Sequence, residues 1–122
     1  MTVLDASALV AFLLSEQGAD RVEAALPRAA LSLVNLTETI GVLSRKGMSL
    51  DQAEAAVTAM KSPSLAPNET VAVTAARLCV HPGLSLGDRY CVAQAMAQSA
   101  SVTTADRAWA NLNLPVAVEL IR

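Results

Sequence analysis

Four carboxylates stand where the chain is otherwise apolar. Asp5 interrupts MTVLDASALVAFLL, Glu38 lies in LSLVNLTETIGVL, Asp88 in GLSLGDRYCVAQAM, and Asp106 follows SVTTA. Asp and Glu are rarely buried unless paired with a cation or bound to a metal. Neither Asp5 nor Glu38 has a Lys or Arg within its run, while Asp88 and Asp106 are each followed by one, Arg89 and Arg107. The other acids (Glu16, Asp20, Glu23, Asp51, Glu54, Glu69 and Glu119) lie mostly among polar or charged neighbours and read as solvated. Four such groups, spread from one end of the chain to the other, point to one acidic pocket assembled by the fold. Pockets of carboxylate oxygens hold hard cations.

Each acid taken singly has a plainer explanation. Asp5 and Asp106 can cap the helices they precede. Glu38 follows Asn35 by three and Asp88 follows Ser85 by three, the spacing of a capping box. Acids in a first helical turn also gain about 0.3–1 kcal/mol from the helix dipole. Caps, however, have no reason to sit in the most apolar segments of the chain. The two roles are compatible, because a helix start keeps a carboxylate ionised for a cation.

The elements that would position these acids alternate. MTVL is a strand candidate ending at Asp5, and residues 6–15 and 18–26 read as helices separated near Gly18. AALSLV suits a short buried strand, followed by a helix from Asn35 to Lys46. Ser49 to Lys61 opens with Ser-Leu-Asp-Gln and carries apolar residues at Leu50, Ala53, Val57 and Met60, a helix joined to the previous one as a hairpin. Pro63 to Pro67 marks a turn with room for a very short strand. Glu69–Val80 and residues 86–100 are helices, Ala100–Thr104 a strand, Asp106–Asn111 a short helix, and Pro115–Leu120 a last strand. Short apolar strands alternating with helices imply an α/β fold, a parallel sheet covered on both faces. Ligands then bind beyond the carboxyl ends of the strands, where all four acids can meet.

Length and composition set limits. A chain of 122 residues fits one domain, and a hydrophobic fraction of 53% is high for a small monomer, which favours a surface covered by a second copy or a partner. A net charge of −2 speaks against gripping nucleic acid by bulk positive potential, although two divalent cations would reverse its sign. Cys79 and Cys91, without CxxC spacing, read as buried free thiols. The single histidine, His81, excludes a multi-histidine zinc site and any ribonuclease mechanism needing two histidines. No secretory signal or membrane-spanning run is evident, so the expected location is cytoplasmic. Neither GxGxxG nor GxxxxGK[ST] occurs, which sets aside dinucleotide and phosphate-loop functions. A dehalogenase-type phosphatase needs a second Asp where this chain has Ser7, and the pattern of a receiver domain is not found.

VLDASALVAFL, NLTETIGVL, LSLGDRYCVAQAMA and SVTTADRAWANL, in this order before LPVAVELI, resemble the PIN-domain proteins, specifically the VapC-type toxin ribonucleases of toxin–antitoxin pairs. The resemblance covers nearly the whole chain. It implies a single domain over residues 1–122, a three-layer α/β/α arrangement with a short central parallel sheet. It implies that Asp5, Glu38, Asp88 and Asp106 bind Mg2+ or Mn2+, as one ion or two. Asp5 and Asp88 match the positions most directly tied to the principal ion, and Glu38 and Asp106 those completing the pocket. Ser7 and Thr104 match hydroxyl residues that orient the first and last acids. The implied reaction is endonucleolytic hydrolysis of structured RNA such as tRNA or rRNA, with a VapB-type antitoxin as partner and a homodimer as the assembly. Arg89 and Arg107 either contact RNA phosphates, or pair with nearby carboxylates or stay solvated. Tyr90 and Trp109, beside two of the acids, read as core packing before base stacking. The rival expectation is a PIN-like dimerisation or partner-binding module with little or no catalysis.

Overall fold

The computed structural model describes all residues, 1–122. Its central strand β1 (Thr2–Leu4) is wholly buried, and the residue types explain why. Successive side chains in a strand point to opposite faces. Val3 therefore enters one core with Val92, Val102, Cys91 and Trp109, while Leu4 enters another with Leu9, Leu31, Leu43 and Ile121. A strand covered on both faces can be apolar throughout.

Helix α1 (Ala6–Leu13) follows at once, then α2 (Ala19–Ala25) and a short 3-10 turn into β2 (Ala29–Ser32). Gly18, at the start of α2, has φ +95°, and a Cβ there would lie 2.5 Å from the Ile121 carbonyl oxygen. Helices α3 (Leu33–Arg45) and α4 (Leu50–Ala59) pack together, as the short link predicts. Ser49 and Gln52 close the expected capping box of α4. Then come β3 (Ser64–Leu65), α5 (Glu69–Arg77), α6 (Leu86–Ala97), β4 (Ser101–Thr104) and β5 (Val118–Leu120). The sheet order is β3-β2-β1-β4-β5, with every pairing parallel. One core lies against α5 and α6, the other against α1 to α4. The α/β fold and its parallel sheet are as the alternation of segments implied.

Three details differ from the sequence reading. AALSLV is strand only to Ser32, whose hydroxyl accepts from the Val34 N–H and starts α3 early. Cys79 is exposed, because the buried face of α5 and its 3-10 extension is Val71, Ala75 and Leu78. Glu119 is not simply solvated. Arg28 donates to its two oxygens at 3.0 and 3.1 Å, and Ser101 Oγ donates at 2.8 Å. The Arg28 guanidinium holds the Glu119 carboxyl down at about 2.

This clasp ties the start of β2 to the edge strand β5 across the sheet. A lowered carboxyl stabilises the fold fully above its ordinary value of 4.5, and the contribution fades as pH falls toward about 2. Both side chains are 40–49% exposed, so solvent screening keeps the pair near ~0.5–1 kcal/mol. Glu119→Gln is expected to lower the melting temperature at pH 6 by about 2–4 °C. In melts run down the pH scale, the gap from the unmodified protein should close near pH 2.

Candidate functional site

Asp5 leaves the carboxyl end of β1 and is the N-cap of α1, 3% exposed. Its backbone N–H donates to the Thr103 carbonyl at 2.9 Å, which continues the β1–β4 ladder past the last strand residue. One carboxylate oxygen is saturated: Oδ2 accepts from Ser7 Oγ at 2.6 Å, Thr104 Oγ1 at 3.0 Å and the Ser7 N–H at 3.4 Å. The other, Oδ1, is buried with no partner. A buried acceptor without a donor costs roughly 1–3 kcal/mol. Ser7 Oγ also accepts from the Ala105 N–H, and Thr104 Oγ1 from the Asp106 N–H, both at 3.0 Å. The two hydroxyls thus bind the first acid and the backbone leading to the last.

Glu38 lies on α3, half-buried. Because α3 starts at Leu33, it stands beyond the first turn, so the expected capping box with Asn35 does not form. Instead the Asn35 side-chain amide donates to Glu38 Oε1 at 3.2 Å. Asp88 lies in the first turn of α6 and does close a capping box: its Oδ2 accepts from the Ser85 N–H at 2.9 Å, and Ser85 Oγ accepts from the Asp88 N–H. Asp106 is exposed and caps the 3-10 turn Arg107–Asn111, accepting from the Ala108 N–H at 3.0 Å.

The electrostatics place these acids together. Burial raises the Asp5 carboxyl above its ordinary value, and the Asp88 charge adds to the rise. Burial likewise raises Glu38, with Asp5 and Asp88 both repelling it. Asp88 is raised by burial and then by Asp106. Behind them, burial pushes the Cys91 thiol far up, and Asp5, Asp88 and Glu38 all press on it. Asp5, Glu38 and Asp88 therefore lie close enough to feel one another's charge, and Asp106 is felt at Asp88.

The donor set fits a hard divalent cation. It is all carboxylate, one oxygen is bare and buried, and three acids share their field. No three acidic, histidine or cysteine side chains stand in ligand geometry, however. The reason lies in the caps: Asp88 and Asp106 are each turned to a backbone N–H and Glu38 to Asn35.

Arg89 donates to the Ser85 carbonyl at 3.4 Å, and neither it nor Arg107 forms an ion pair, so the expected alternative of pairing with carboxylates is not realised. Trp109 is 1% exposed in the core and Tyr90 packs half-buried against it, as read from the sequence. The residue that sequence reasoning missed is Gly87. A Cβ there would run into the Glu38 carboxyl, so glycine at this place lets that carboxyl lie where it does. A groove of about 310 Å3 is lined by Ala6, Ser7, Val10 and Val42 of α1 and α3 and by Glu16, Lys46 and Arg122.

A family model described as PIN domain matches residues 2–114. Solved structures resemble the whole chain. A toxin–antitoxin complex from Klebsiella pneumoniae is 17% identical over 100% of this chain and 98% of that chain, with a TM-score of 0.74. VapBC-5, of the VapBC family of toxin–antitoxin systems, from Mycobacterium tuberculosis is 26% identical over 99% and 97%, with a TM-score of 0.63. FitAcB from Neisseria gonorrhoeae is 23% identical over 99% and 98%, with a TM-score of 0.63. No curated protein matches the sequence.

Repulsion among the acids has a measurable sign. A carboxyl raised in the folded state binds its proton more tightly there, so stability falls as pH rises through its range. Without metal, Asp88→Asn is expected to raise the melting temperature at pH 7 by a few degrees, and the gain should vanish below the ordinary value of 3.8. Melts in EDTA across the acid range check this; a lower melting temperature for the variant at pH 7 would contradict it.

Proposed function

The chain belongs to the PIN-domain family, and from that premise we propose that it is a metal-dependent endoribonuclease, the toxin of a VapBC-type toxin–antitoxin pair. The observation that carries the reading is the buried oxygen of Asp5 left bare at the end of the central strand, with Asp88 near enough for its charge to press on both Asp5 and Glu38. Asp5 and Asp88 would hold Mg2+ or Mn2+ most directly, and Glu38 and Asp106 would complete the pocket. When bound, the ion supplies charge relief to the phosphoryl oxygens and a more acidic water.

The chain's own groups do the rest. Ser7 and Thr104 donate to Oδ2, which fixes Asp5 and favours its ionised form against the burial that raises it, and its second oxygen is left without a partner. The N-termini of α1 and α6 favour negative charge at Asp5 and Asp88. Arg89 and Arg107, free of carboxylate partners, suit the RNA phosphates flanking the scissile bond. With a single histidine, no paired acid and base exist for attack by a 2′-hydroxyl. Hydrolysis should therefore leave 5′-phosphate and 3′-hydroxyl ends, on a structured RNA such as tRNA or rRNA.

The named complexes among the structural relatives are toxin–antitoxin assemblies, which supports an antitoxin as partner. The groove between α1 and α3, with apolar Ala6, Val10 and Val42 beside charged Glu16, Lys46 and Arg122, suits it. Exposed Leu50, Val73, Val80 and Leu86 support a second copy as well. The rival, a partner-binding PIN module with little catalysis, is favoured by one observation: the acids do not converge in ligand geometry.

Cleavage of bacterial RNA by the purified protein in Mg2+ or Mn2+, against EDTA, separates the two. Discrete metal-dependent fragments are expected, reduced at least ~100-fold in Asp88→Asn, the scale of losing one electrostatic contact to the transition state. Fragments equally abundant with EDTA or with Asp88→Asn would overturn the proposal, and no cleavage in either metal would favour the rival.

A further inference from the structure

Asn35 is fully buried on α3. Its amide nitrogen donates to two groups on different elements, Glu38 Oε1 at 3.2 Å and the Gly87 carbonyl at 3.3 Å. Both are acceptors, so the orientation of the amide is fixed by its neighbours. Its Oδ1 is buried and has no partner. A Cβ added at Gly87 would run into the Glu38 carboxyl, so glycine there lets that carboxyl keep its place. One turn further along α3, Thr39 Oγ1 donates to the Asn35 carbonyl at 2.7 Å.

The amide leaves one buried oxygen orphaned, and its two donated hydrogen bonds, to Glu38 Oε1 and the Gly87 carbonyl, offset that cost. What asparagine provides is a bridge. It joins the carboxylate on α3 to the backbone of α6 one residue before Asp88, and it leaves Glu38 Oε2 without a hydrogen bond.

We infer that Asn35 is a positioning residue that clamps Glu38 between α3 and the Gly87 backbone and so sets its place relative to Asp88. The inference rests on reading these acids as a cation site. Asn35 touches neither substrate nor ion and acts through Glu38 alone. Partners that orient a ligand in this way typically govern ~10–100-fold in metal affinity.

The test is calorimetric titration with Mn2+ of four full-length proteins: unmodified, Asn35→Leu, Glu38→Ala and the double variant, each with a melt in EDTA. Asn35→Leu is expected to weaken binding about 10-fold while still melting cooperatively in EDTA. In the Glu38→Ala background the same change should alter affinity by less than about twofold, the limit of additivity between uncoupled sites. Asn35→Ala takes the place of Asn35→Leu should the latter not fold. Equal losses in both backgrounds would mean a general structural role and overturn the inference, as would unchanged affinity in Asn35→Leu. If the unmodified protein binds no Mn2+, the cation-site reading fails and the inference falls with it; binding by the unmodified protein with a silent Asn35 change sinks the inference alone.

Discussion

Asp5 ends the central strand with one carboxylate oxygen saturated by three donors and the other bare. The rest of the structure depends on that asymmetry. An ionised carboxylate is costly to bury, and hydrogen bonds to one oxygen recover only part of the cost. Thr104 reaches Asp5 because β4 pairs in parallel with β1, and Ser7 because α1 begins at once. Removing either the pairing or the helix start would leave Asp5 with too few donors. The sheet order is thus a requirement of the site as much as a way to bury Val3 and Leu4.

Asp88 and Asp106 are held at helix starts and Glu38 by the Asn35 amide, none of them through an ion pair. Asp88 and Asp106 each hold a backbone N–H, which gives both a structural occupation before any chemistry. Mutual repulsion and burial raise three of the four carboxyls, so the cluster stores electrostatic free energy that a divalent charge would release. Drawing an acid from its cap into ligand geometry would cost about one hydrogen bond, ~0.5–1.5 kcal/mol net, which is small beside the binding of a cation by several carboxylates. On the cation-site reading, capping and metal binding would draw on the same side chains.

Much of this was legible in the sequence, for identifiable reasons. A charged residue inside an apolar run is a strong signal, and it marked Asp5, Glu38 and Asp88. The Ser85–Asp88 spacing is local, and its capping box forms as read. The start of α3 was misread because a short apolar run such as AALSLV suits strand and helix alike, and Ser32 hides within it. Cys79 was misjudged because apolar neighbours in sequence do not make a buried face; helical periodicity turns it outward. The contacts of Gly87 and Asn35 across α3 and α6 are tertiary, and no local pattern announces them. Glu119 escaped notice because its partner Arg28 is distant in the chain.

The most direct test of the acid cluster as a cation site is the melting temperature with and without millimolar Mg2+, for the unmodified protein and for Asp5→Asn. A ligand that binds only the folded state raises its melting temperature. The account predicts a clear upward shift for the unmodified protein and none for Asp5→Asn. No shift in either protein, or the same shift in both, would contradict it.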